Sequence, residues 1–127
     1  MLLNLTDISD ESLQSQIIRQ IRAKVLAGKL EAGTGIPSIR TLAKDQKVSV
    51  ITVQRAYESL MREGLIHSRR GKGFFVSELK DKDKKEMAKQ KMFETLERPL
   101  LAGAAEGLDK RDILLIVEEI LNKKNHQ

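Results

Sequence analysis

Pro37, Gly64 and the Gly71–Lys72–Gly73 tripeptide divide the middle of the chain so closely that only short elements fit between them. Nothing else in the sequence restricts the fold as much. Pro37 has no amide donor and forbids helix continuation from upstream, so a helix beginning at Ser38 is predicted, burying Ile39, Leu42 and Ala43 and ending near Gln46–Lys47. Ser49 is the next N-cap candidate, and Val53, Ala56, Tyr57 and Leu60 at i, i+3, i+4 and i+7 predict a second helix that stops at Gly64. The two helices must meet across a short turn. Beyond them, the β-prone runs Leu65 to Ser68 and Phe74 to Val76 flank Arg69–Arg70–Gly71–Lys72–Gly73, which predicts a hairpin with a basic, glycine-hinged tip.

Upstream, Leu13, Ile17, Ile21 and Val25 recur at every fourth position, with Ile18 and Leu26 widening the stripe. This predicts an amphipathic helix from Ser9 to Leu26, capped by Ser9 or Asp10 and closed by Gly28. The segment GKLEAGTGIP reads as a loop. Downstream, the charge-dense run KDKDKKEMAKQK at 80–91 leads into a stripe of Met92, Phe93, Leu96 and Leu100. Pro99 is expected to kink this helix and Gly107 to end it. Asp109 and Asp112 suggest an acidic cap for a last helix that carries the block ILLIV at 113–117, plus Ile120 and Leu121.

With 3% aromatic residues, any core must rest on Leu, Ile and Val. Charge is distributed unevenly: residues 1–76 hold twelve Lys/Arg against seven Asp/Glu, while 77–127 hold eleven of each, so the whole net charge of +5 lies in the first part. That balance suits a polyanion-binding module followed by a neutral tail with a different task. The absence of cysteine excludes a disulfide framework and a thiolate zinc site, and fits a cytoplasmic setting. The N-terminus lacks a basic flank and reaches Asp7 at once, unlike a signal peptide, and no apolar run is long enough to span a membrane. His67 and His126 have no ligand cluster at metal spacing, and Gly71–Lys72–Gly73 lacks the residues of a phosphate loop. No nucleophile or carboxylate pair suggests an enzyme, and no cofactor or metal is expected.

Helix, turn, helix and basic hairpin make up a winged helix-turn-helix, whose second helix suits a major groove and whose hairpin suits the adjacent backbone. The run GIPSIRTLAKDQKVSVITVQRAYESLMREGLIHSRRGKGFFV, with the helix before it, resembles the GntR family of bacterial transcription regulators. The similarity covers residues 9–76. It rests on the PSIR turn at 37–40, Leu42–Ala43, VSVITV at 48–53, the Glu63–Gly64–Leu65–Ile66 helix exit and the Gly71-x-Gly73-x-Phe75-Val76 hairpin. The resemblance implies a DNA contact at Arg40 beside Ser38, groove reading by Ser49, Val50, Ile51, Thr52 and Gln54, and a wing formed by Arg69, Arg70, Gly71 and Lys72. Many members carry arginine where this chain has Val50, an aliphatic side chain that offers only van der Waals contact.

The tail is too short for the large ligand-binding or aminotransferase-like domains of many GntR proteins and resembles the two-helix tail of the YtrA-type subfamily. Two helices cannot bury the ILLIV block between themselves. Homodimerisation through Met92, Phe93, Leu96, Ile113, Ile116, Val117, Ile120 and Leu121 is therefore expected, with docking onto the chain's own winged helix as the alternative. The expected fold is mainly α: a winged helix-turn-helix over 1–76, with three helices and a β-hairpin wing, and a two-helix C-terminal dimerisation region over 77–127. The implied function is a homodimeric repressor on double-stranded operator DNA with inverted half-sites, with a transporter operon as the target the subfamily suggests. No residue indicates a small-molecule effector. The competing reading is a winged-helix adaptor that binds protein.

Overall fold

The computed structural model describes residues 1–125, in the order α1 (Leu13–Leu26), β1 (Gly35–Ile36), α2 (Ile39–Gln46), α3 (Val50–Arg62), β2 (Ile66–Arg69), β3 (Gly73–Val76), α4 (Asp81–Ala105) and α5 (Lys110–Asn125). His126, to which part of the metal argument refers, lies outside them. Two compact units result, one of Met1–Lys85 and one from Glu86 onward.

In the first unit α1 and α2 pack against α3. The α1 stripe is fully buried at Ile17, Ile21 and Val25 and meets Val53, Ala56, Tyr57 and Leu60 of α3 in an almost wholly aliphatic core. Leu42, Leu65, Ile66 and Val76 complete it. The Arg22 guanidinium donates to the Glu63 carboxylate at 3.1 Å, tying α1 to the end of α3. The segment expected to be a loop before Pro37 contributes a strand: β1 joins the hairpin as a third member, antiparallel to β3, with Gly35 opposite Phe75 and Ile36 opposite Phe74. Ile36 is drawn into sheet pairing because its side chain is needed in the core.

The cap of α1 also differs from expectation. It is Ser12, whose hydroxyl accepts the Ser15 amide at 3.0 Å, rather than Ser9 or Asp10. Ser9 instead accepts the Glu11 amide at 3.0 Å in the turn ahead of the helix. The cause is an extended N-terminal arm held along α1 by two glutamines one turn apart. Gln16, 2% exposed, accepts the Thr6 amide at 2.9 Å and donates to the carbonyls of Thr6 and Glu11 at 2.7 and 2.8 Å. Gln20 pairs in the same two-way fashion with the backbone of Asn4, at 2.8 and 2.7 Å. Leu3 is buried by this arrangement.

Tyr57 links three parts of the unit. Its ring meets Phe74 of β3 edge-on at 5.0 Å, and its hydroxyl donates to the Pro37 carbonyl at 2.7 Å, just ahead of α2. Burial pushes the phenol above its ordinary value. The stability it contributes is therefore complete below the usual tyrosine range, near about 10, and is lost as pH rises toward the shifted value. Tyr57→Phe is expected to cost about 1–2 kcal/mol at neutral pH, since it leaves the Pro37 carbonyl without this donor, and to remove this part of the alkaline decline. Denaturant titrations between pH 7 and 11 would check both effects.

In the second unit α4 continues on both sides of Pro99 as far as Ala105, and Gly107, at φ 101°, supplies the left-handed turn that ends the segment. α5 opens with reciprocal bonds: the Asp112 amide donates to the Asp109 carboxylate at 2.9 Å and the Asp109 amide to that of Asp112 at 3.0 Å. No described residue from Glu86 onward is buried. Among the described residues no helix is long and apolar enough to cross a membrane.

Candidate nucleic-acid interface

The turn joining α2 to α3 is only Lys47–Val48–Ser49. Lys47 adopts left-handed backbone at φ 55°, so its amide reaches back to α2 carbonyls and the chain reverses abruptly. Ser38 and Ser49 then cap their helices in the same way. The Ser38 hydroxyl accepts the Thr41 amide at 3.1 Å and donates to the Thr41 hydroxyl at 2.9 Å. The Ser49 hydroxyl accepts the Thr52 amide at 3.1 Å and shares a 2.7 Å hydrogen bond with the Thr52 hydroxyl. These hydroxyls therefore spend most of their bonding capacity on their own helix termini.

Because α3 buries Val53, Ala56, Tyr57 and Leu60, its opposite face is turned to solvent. Ile51 is exposed there, Val50 and Gln54 are exposed at the margin of the buried stripe, and Thr52 is half-buried. The Gln54 amide donates to the Glu58 carboxylate at 3.2 Å, one turn on. Arg40 is exposed in the first turn of α2. Arg55, also exposed, follows Ile51 by one turn on the open face of α3 and was not among the sequence candidates. Helical periodicity applied to the polar side of α3, rather than to its apolar side alone, would have found it and Glu58.

The wing pairs Ile66 with Val76 through Arg69 with Gly73. Arg70, Gly71 and Lys72 form the exposed tip, where Gly71 at φ 75° and Gly73 at φ 103° adopt backbone that a side chain would strain. The Arg69 guanidinium lies 4.8 Å from the centre of the Phe75 ring, which is also stacked near His67. Gly35 lies opposite that ring, where an added Cβ would make ordinary van der Waals contact at 3.6 Å. Arg69 is thus held in orientation rather than left free. Among the described residues no cluster of His, Asp or Glu could hold a metal ion.

Three helices with a short turn before the last, followed by a basic hairpin whose sheet β1 completes, define a winged helix-turn-helix. Residues 13–76 match the sequence profile of the family described as "Bacterial regulatory proteins, gntR family". The chain belongs to the GntR family, whose members are transcription regulators and not enzymes. It is 39% identical over 70 residues to the HTH-type transcriptional repressor YtrA of Bacillus subtilis, a stretch that makes up 55% of this chain and 54% of YtrA. It is 35% identical to the HTH-type transcriptional regulator YhcF of the same organism, over 89% of this chain and 87% of YhcF. Against the probable rhizopine catabolism regulatory protein MocR of Rhizobium meliloti, the similarity spans only 14% of the relative's length. Among solved structures, a transcriptional antiterminator from Listeria monocytogenes superposes with a TM-score of 0.75 at 28% identity, over 94% of this chain and 90% of that one. The DNA-binding domain of AraR, solved in complex with operator ORX1, gives 0.51 at 27% identity, over 59% and 93%.

Proposed function

We propose that the chain is a homodimeric repressor that occupies operator DNA bearing two inverted half-sites, of which each winged helix takes one. The observation that carries this reading is the shared exposure of Arg40, the start of α3 and the wing tip, within residues 1–76, which hold the whole net positive charge. The similarity to an AraR domain bound to its operator supports it. In this reading residues 1–76 read DNA and residues 77–127 join the protomers. Gln54 and the start of α3 face base edges, while Arg40, Arg69, Arg70 and Lys72 bind phosphates and set the register. Arg55 is added as a further phosphate or base contact. The cytoplasm is the proposed setting, and a transporter operon, the target implied by resemblance to the YtrA-type subfamily, is the proposed target.

Support for the dimer comes from the second unit. Met92, Phe93, Leu96, Ile116, Val117, Ile120 and Leu121 are exposed, and only Ile113 of the proposed set is half-buried. An apolar surface of this kind calls for cover by another chain. A gel shift against genomic fragments tests operator binding. Anisotropy at graded salt then tests the phosphate contacts: four cations from each of two protomers predict a slope of log affinity against log salt of about −7, at roughly −0.9 per contact. A slope near zero removes the phosphate-binding model, and the absence of any retained fragment leaves a protein-binding wing as the better account.

A further inference from the structure

Within the proposed operator complex, on which this inference rests, we infer that Val50 and Ile51 read the 5-methyl group of thymine and that this contact sets the base preference at the amino end of α3. The two are 46% and 55% exposed in the first turn of α3, where Ile51 lies opposite the buried stripe and Val50, three residues before Val53, lies at its edge ahead of the core. The hydroxyls nearest them are partly engaged at the helix terminus. The hydroxyls of Ser49 and Thr52 bond to each other, and Ser49 also accepts the Thr52 amide. The side-chain amide of Gln54 is drawn toward Glu58, away from the helix start.

In the first turn of α3, ahead of Gln54 and Arg55, the outward groups are mainly branched hydrocarbon, which can neither donate to guanine or thymine oxygens nor accept from cytosine or adenine amino groups. The major groove of B-DNA displays one apolar group, the thymine methyl, so two aliphatic side chains held there can gain energy only at a T·A or A·T pair. Opposite cytosine the same side chains cover a polar edge and gain nothing. This gives the chain a thymine requirement that an arginine at position 50 would replace with a preference for guanine.

The test begins with selection of a preferred site from random DNA by the full-length chain, which is expected to return half-sites with one or two fixed T·A pairs. Each thymine is then replaced by deoxyuridine, which removes only the methyl and keeps every hydrogen-bonding group. Loss of one buried methyl predicts about a fourfold drop in affinity per half-site, and about an order of magnitude when both half-sites carry the change. The V50A/I51A variant, altered only at exposed positions, should bind thymine and uracil sites equally, with an unchanged circular dichroism spectrum. A wild-type chain indifferent to uracil at every position, or a uracil effect that persists undiminished in the variant, overturns the methyl contact and leaves operator binding standing. Failure of the selection to enrich any sequence overturns both.

Discussion

If the chain pairs as proposed, Ile120→Asp is expected to leave it monomeric at micromolar concentration. Ile116 and Ile120 lie one turn apart on α5, 44% and 61% exposed, on the surface assigned to the partner protomer. A carboxylate there would enter a desolvated contact with no opposite charge, at a cost of several kcal/mol, enough to separate a dimer of moderate affinity. Operator affinity should fall with it by ~10²–10⁴, because the second half-site no longer benefits from the first. Sedimentation velocity reads the first effect and anisotropy the second, while the dichroism of the first unit should persist. Ile120→Leu should keep both the dimer and the affinity. An aspartate variant that remains dimeric and binds normally would mean that association does not run through this face.

A comparable loss, by a different route, is expected from Tyr57→Ala. Removing a fully buried ring from an otherwise aliphatic core leaves a large cavity and should cost about 3–5 kcal/mol, a large share of the 5–15 kcal/mol typical of a folded domain. The ring contact to Phe74 and the bond to the Pro37 carbonyl disappear together, so the wing and the start of α2 lose a common support. Thermal unfolding of the first unit should shift down by well over the change seen for Tyr57→Phe. DNA binding should fade at temperatures where the wild type still binds. A variant with an unaltered melting profile would show that the ring packs less tightly than its burial implies.

Much of the DNA-reading unit was legible because its signals are local. Ser38 and Ser49 cap where hydroxyl residues precede apolar periodicity, Gly28 and Gly64 adopt the left-handed backbone that follows their helices, and the tripeptide around Lys72 turns the hairpin. The arm was not legible. Gln16 and Gln20 look like ordinary polar residues on an amphipathic helix, and their partners lie ten and sixteen positions away, where no periodicity links them. Ser12 was passed over because Ser9 and Asp10 offer equivalent oxygens within one turn, and only the path of the arm decides among them. β1 is two residues long, too short to show alternation, and exists only because β3 has a free edge beside it. At the candidate interface, residue types were readable but their commitments were not: that Gln54 leans on Glu58 follows from side-chain geometry alone.

From Glu86 onward no described residue is buried, and this bears on how much of the protein a cell can hold. Helices without an interior fray readily, and frayed segments are what proteases cut. In the proposed homodimer, a chain that has not met its counterpart would offer α4 and α5 for degradation, and a paired chain would withdraw them. If the chain is the homodimeric repressor proposed above, its exposed tail would set a minimum abundance below which repression lapses.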